Sequence, residues 1–374
     1  MLTKISDPSF QTVLFSVIFL SLLLVSVRKS EEESFLSRQT TNQLKGFAIL
    51  AVVFSHIGFF LYTDQKFLYP YSILAGVGVN IFLFLSGFGL TISQLKSPLS
   101  PFSFYKKRLL KLFIPLWIVI TTFLLIDFFV LDRTYPLSEI INGFLGFYPR
   151  ADVFQNLDSP LWYFSVILFY YLIFPLIFVK KIPLLSPVLV LLLSLLVLKL
   201  PLPVDPDVLK LYKLHFLAFP LGMFFGIIQN VILRPFSVIL SAAKDLKTQL
   251  RDSSANRLRM TRRILRMTIL ILSVLVFLYT SIHSGVGQGP NIEQSISLIT
   301  SFSILIIFAL SKLEFRLFSL LGIYSYEIYL LHWPILSRFN PFLSLPPFLM
   351  VILNLFLFLL LSFALQKIIR KAAS

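Results

Sequence analysis

Residues 44–62 read LKGFAILAVVFSHIGFFLY, an apolar run broken inside by one titratable side chain, His56. Its length and composition predict a membrane-spanning helix, which needs about 20 predominantly apolar residues. Lys45 and His56 are separated by about 16 Å of helix at ~1.5 Å rise per residue. With Lys45 at the interface, the imidazole falls near the middle of a ~30 Å hydrocarbon layer. Ionisable groups at that depth are expensive, so His56 marks a functional site whose partners must come from other segments.

The rest of the chain repeats the pattern. Of 374 residues, 57% are hydrophobic and 16% aromatic, while only 13% are charged, against about 25% in an ordinary chain. Mean hydropathy is +0.87. Apolar blocks of roughly 17 to 22 residues alternate with short charged or Pro-rich links, which predicts an all-α, polytopic integral membrane protein of about eleven transmembrane helices. Little chain remains for a separate soluble catalytic domain. Cysteine is absent, which excludes disulfides, thiolate catalysis and cysteine metal sites.

The expected spans are 10–27, 44–62, 76–94, 112–131, 161–179, 184–198, 214–233, 267–283, 294–310, 317–336 and 347–365. In the first, Arg28 and Lys29 follow the apolar run instead of preceding it, which predicts an uncleaved helix with its N-terminus outside. The C-terminus is then cytoplasmic. Alternation puts roughly three quarters of the 33 Lys and Arg on inner links, so the net charge of +16 reads as positive-inside topology and not as a nucleic-acid surface. Residues 234–266 read as a basic cytoplasmic loop. The expected organisation is an N-terminal helix and link over 1–43, a membrane domain over 44–366 and a tail over 367–374. No internal repeat stands out.

Five stretches, in order, resemble the signatures of the membrane-bound acyltransferase-3 family. They are Lys45-Gly46 with His56 ten residues after the glycine; Gly78-Val79-Asn80 followed by FLFLSGF; YKKRLLKLFIP from Tyr105; LWYFSVILFYYLIFP from Leu161; and LGIYSYEIYLLHWPI from Leu321. The resemblance covers residues 44–336 and implies a ten-helix core plus one N-terminal helix. It also implies transfer of an acyl group, usually acetyl, from acyl-CoA to a hydroxyl of a sugar, lipid-linked glycan or surface polysaccharide. The setting it implies is the cell envelope, in the plasma membrane, or the inner membrane where the source is Gram-negative. The expected partners are the lipid bilayer and a carbohydrate acceptor, without nucleic acid.

By that resemblance His56 is the general base, a role suited to imidazole near neutral pH. His332 is the second catalytic candidate, orienting substrate or stabilising charge. Lys45, Arg108 and Lys111 are the candidates for the donor's phosphates, with Arg108 offering a planar fork and the lysines point charges. Lys45 stands where the family usually has arginine, keeping the charge without the fork. Asn80, Ser86, Trp162, Glu327 and Tyr329 are the substrate-binding candidates. Ser86-Gly87 also suits close helix packing and Trp162 an interfacial anchor. Glu327 and His332 differ by ~140° around a helix, whereas Tyr329 and His332 share a face. Ile167 and Leu168 stand where another branch of the family has paired glutamates, so a paired-carboxylate mechanism is not expected.

Asp127 is a further intramembrane ionisable group and a candidate partner for a histidine. His215 and His283 fall at outer helix ends and read as interfacial. No HExxH, no i,i+4 histidine pair and no G-x-S-x-G occurs, so neither a metal nor a serine elbow is expected. The rival reading, a transporter or exporter of a glycan or lipid-linked substrate, shares the helices and midplane ionisable groups but predicts flux without donor consumption.

Overall fold

Ser37 sets the start of the helix that carries His56. Its hydroxyl accepts the Thr40 N–H at 3.0 Å, an N-cap that begins α2 (Arg38–Phe60) well before the apolar run. The computed structural model describes residues 3–30, 36–63, 66–150, 157, 160–233, 252–284 and 290–373. Around α2 stand α1 (Pro8–Val25), the paired α3 (Tyr69–Ser72) and α4 (Ala75–Lys96), α5 (Pro101–Leu131), α6 (Leu137–Leu145), α7 (Trp162–Ile177) and α8 (Leu185–Val197). They are followed by α9 (Pro206–His215), α10 (Ala218–Ile227), α11 (Asp252–Ser281), α12 (Pro290–Ser311), α13 (Arg316–Ile323), α14 (Ser325–Arg338) and α15 (Pro347–Ala373).

Among the described residues eight helical segments are long and apolar enough to cross a membrane, and α7 and α8 are shorter apolar helices. With α13 and α14 taken together, each expected span has its element, and the protein is an all-α, multi-pass membrane protein. The boundaries differ for physical reasons. Ser100 caps α5 by accepting the Ser103 N–H, and Pro101 opens the helix, so the basic stretch from Tyr105 is helical and not a link. The span expected at 317–336 is two helices that meet at Tyr324. The amphipathic α6 occupies part of the expected outer loop. Of the basic loop 234–266, the part from Asp252 onward belongs to α11, and 234–251 lies outside the described residues.

Close backbone approach fixes the centre. A Cβ on Gly46 would lie 2.0 Å from the Phe318 carbonyl oxygen, and one on Gly322 would lie 1.8 Å from that of Asn42. Helices α2 and α13 therefore touch backbone to backbone, which only glycine permits. Gly87 meets the Phe219 carbonyl of α10 in the same way, in keeping with the packing expected of Ser86-Gly87. Phe15 and Phe19 of α1 pack edge-on against Phe54 of α2 at 5.3 and 5.8 Å between centroids. After α1, β1 (Val27–Lys29) pairs antiparallel with β2 (Leu313–Phe315), and Arg28 forms an ion pair with Glu314 across the ladder.

Asp127 does not partner a histidine. It is fully buried in α5, accepts the Tyr135 hydroxyl at 2.7 Å and lies 3.3 Å from Arg338 Nη1. Arg338 also donates to the Tyr135 hydroxyl and to the Leu157 carbonyl, at 2.9 and 3.1 Å. A buried carboxylate needs a charge partner, and the C-terminal end of α14 supplies a cation where a neutral imidazole would leave the charge unmatched.

Candidate functional site

Helices α2, α4, α7, α9, α12 and α14 enclose a cavity of about 630 Å³, within the size range of small-molecule sites. It follows α2 from Lys45 to Phe60, about 22 Å of helix at ~1.5 Å per residue. Its walls are mostly apolar and aromatic, among them Phe59, Phe82, Trp162, Tyr163 and Ile167. At the far end from Lys45 it reaches Tyr69 and, at the start of α12, Glu293 and Gln294.

His56 lines the cavity, and behind it stands His332, fully buried and not part of the lining. His56 Nδ1 is 2.7 Å from His332 Nε2, and the near-parallel rings are 5.0 Å apart. His332 Nδ1 in turn lies 2.8 Å from the Tyr329 carbonyl and 3.2 Å from that of Ile328. Carbonyl oxygens only accept, so Nδ1 of His332 carries its proton and Nε2 its lone pair. That lone pair takes the Nδ1 proton of His56 and leaves His56 Nε2, which has no hydrogen-bond partner among the described residues, as a free base in the cavity. Nucleophile activation requires such an atom within reach of the hydroxyl it deprotonates.

At the Lys45 end, Arg38 and Arg108 lie within Coulombic reach of Lys45. Arg108 also lies near the Tyr171 hydroxyl, and its Nε is buried without a hydrogen-bond partner. An orphaned guanidinium nitrogen beside a second cation is an arrangement that an anion completes. Lys111 is exposed on α5 and does not line the cavity, and Lys107 faces a separate shallow depression with Lys106. Of the three cations expected together, Lys45 lines the cavity, Arg108 lies within Coulombic reach of it without lining the cavity, and Lys111 does neither.

The substrate candidates divide. Ser86, Trp162 and Tyr329 line the cavity; Ser86 lies close to the hydroxyls of Tyr163 and Tyr171. Trp162 is buried, not interfacial, because it stacks on His215 at 5.7 Å with 18° between planes. Asn80 is 1% exposed and does not line the cavity: its amide is used up on His215 and Ser297, at 2.8 Å each. Glu327 is turned from the cavity toward α15, where Gln366 Nε2 donates to it at 3.0 Å.

His215 is buried and lines the cavity, which overturns its interfacial reading. Helix α9 starts at Pro206 and not at 214, so His215 ends that helix inside the bundle instead of opening a span at the surface. His283 is half-buried, with its Nδ1 2.8 Å from the Tyr279 carbonyl oxygen. Tyr163, Tyr171, Tyr326 and Ser297 also line the cavity, and sequence reasoning did not single them out. Tyr163 and Tyr171 stand within the Trp162 stretch and Tyr326 within the late one, but aromatic residues are too common here to be a signal. Among the described residues no group of three His, Asp or Glu side chains is placed to hold a metal ion.

A family model described as an acyltransferase domain, that of acyltransferase-3, matches residues 41–367. No curated protein and no solved structure matches the chain.

Proposed function

Since the chain belongs to the acyltransferase-3 family, and is on that ground a multi-pass membrane acyltransferase, we propose that it transfers an acetyl group from acetyl-CoA to a hydroxyl of a sugar, lipid-linked glycan or surface polysaccharide. The observation that carries this reading is the His56–His332 contact at 2.7 Å, which leaves His56 Nε2 as a base on the cavity wall. As an acceptor hydroxyl attacks the thioester carbonyl, its proton moves to that nitrogen. A C–O bond forms, the C–S bond breaks as the tetrahedral intermediate collapses, and the leaving thiolate takes the proton back from His56. His332 is a positioning residue that holds the tautomer and shares the charge of the transient imidazolium.

The donor's phosphates bind at Lys45 and Arg108, and its acyl arm extends along α2 toward His56. The acceptor enters from the Glu293–Gln294 end. A cavity that runs from Lys45 to Glu293 and Gln294 suits a cytoplasmic donor and an acceptor on the outer face of the plasma membrane, with the N-terminus outside and the C-terminus inside. His56→Ala, inserted normally and supplied with acetyl-CoA and glycan acceptor, loses transfer by about 10²- to 10⁴-fold; wild-type turnover by that variant would reject His56 as the base.

A further inference from the structure

The cavity holds a second imidazole on a different wall from His56, and the mechanism above does not use it. His215 is 3% exposed and sits where α9 ends before α10. Its Nδ1 is 2.8 Å from Asn80 Oδ1, and Asn80 Nδ2 donates to Ser297 Oγ at 2.8 Å. An amide oxygen only accepts, so His215 Nδ1 carries the proton and Nε2 keeps its lone pair. Nε2 has no hydrogen-bond partner among the described residues. Gly76 of α4 lies beside the ring, where an added Cβ would be 3.6 Å from His215 Cε1 and 3.3 Å from Ser297 Oγ.

Three helices, α4, α9 and α12, thus spend polar groups to aim one imidazole from an otherwise apolar wall. If the ring served only to fill space, an apolar side chain lining the cavity would do so without the cost of burying a polar ring. A hydrogen-bond donor on a ligand in the cavity would complete the ring. We propose that His215 Nε2 binds one hydroxyl of a polyhydroxylated acceptor while His56 deprotonates another hydroxyl of the same molecule, so that the two histidines select which position is acylated. The proposal rests on the acyl-transfer reading. Trp162, stacked on the ring, and Asn80, bonded behind it, are positioning residues. A donor arm also carries N–H and O–H donors, but His215 stands beside Gln294, whose amide donates to the Lys213 and Leu214 carbonyls at the end where the acceptor enters, and this favours the acceptor as its ligand.

The purified full-length protein is assayed with acetyl-CoA and a methyl glycoside, following both Michaelis constants and the acylated position by mass and NMR. His215→Ala raises the glycoside KM by about tenfold or more, leaves the acetyl-CoA KM within about twofold, and spreads acylation over several hydroxyls. His215→Gln, which can present an acceptor oxygen, recovers part of the loss, and Asn80→Ala reproduces the alanine phenotype without adding to it in the double variant. An unchanged glycoside KM and product pattern in both His215 variants would overturn the proposal. So would a rise confined to the acetyl-CoA KM, which would give His215 to the donor. If the wild type transfers no acetyl group, it is the underlying acyl-transfer reading that fails.

Discussion

At the scale of residues, the basic atom of His56 is chosen by a neighbour that never reaches the cavity. His332 is locked by two backbone carbonyls and passes that constraint on through a single contact. His332→Ala is therefore expected to lower kcat by about 10- to 100-fold while leaving both KM values near wild type, since it releases the tautomer without removing a wall of the cavity. Steady-state kinetics on the variant test this. Outside the membrane, burial alone would raise the Glu314 carboxyl, but hydrogen bonds from Arg28 and Ser319 outweigh it and hold the group below the ordinary carboxylate range. A depressed folded-state value means that the pair stabilises above the unfolded pKa of about 4.3, and that this is lost as pH falls through the lower folded value. Melting temperatures of wild type and Glu314→Gln, measured from pH 7 down to pH 3, are expected to differ at neutral pH and converge in acid.

At the scale of elements, the glycine of the first signature has a packing reason. Gly46 and Gly322 let α2 and α13 meet backbone to backbone, and α13 leads through Tyr324 into α14, which delivers His332 to His56. Gly322→Ala has no room for its methyl at 1.8 Å from the Asn42 carbonyl oxygen. It should cost on the order of 1–3 kcal/mol and reduce activity by moving His332. Gly89 has nothing within 4 Å of its would-be Cβ, so Gly89→Ala should be neutral or gain up to ~1 kcal/mol from helix propensity. Thermal unfolding of the two variants in detergent checks the contrast. The α13–α14 break was not legible, because LGIYSYEIYLLHWPI is continuous in composition and its glycine near Tyr324, Gly322, reads equally as a close-packing residue within one helix. Likewise Ser100-Pro101 carried the α5 start in plain view, yet the lysines and Arg108 beyond it read more readily as a link.

At the scale of the whole molecule, the cations cluster where the cavity begins. If the donor binds through Lys45 and Arg108 as proposed, its binding should weaken with salt, since added anions compete for the cationic groups and ionic attraction is screened over about 8–10 Å at physiological ionic strength. Raising NaCl from 50 to 500 mM is expected to increase the acetyl-CoA KM severalfold in wild type and much less in Arg108→Ala, with the glycoside KM little changed. A salt response of the variant equal to that of wild type would remove Arg108 from the donor site.

By itself, the sequence determined that this is a polytopic membrane protein, because apolar blocks of helix-spanning length have no other stable home. It also placed His56 inside an apolar helix and brought out the five signature stretches, since both depend on order and spacing along one chain. Tertiary structure decided which side chains meet. His56 and His332 lie 276 residues apart, Asp127 chose Arg338 over a histidine, Glu327 turned to Gln366, and His215 moved from the interface into the cavity. Helical periodicity tells which residues share a face of one helix, but not how that helix is rotated against its neighbours. In a membrane-spanning helix that is apolar on nearly every face, hydrophobicity gives no preferred rotation. Backbone contacts at a few glycines and bonds between a few buried polar groups set it instead, and those appear only when the helices are packed.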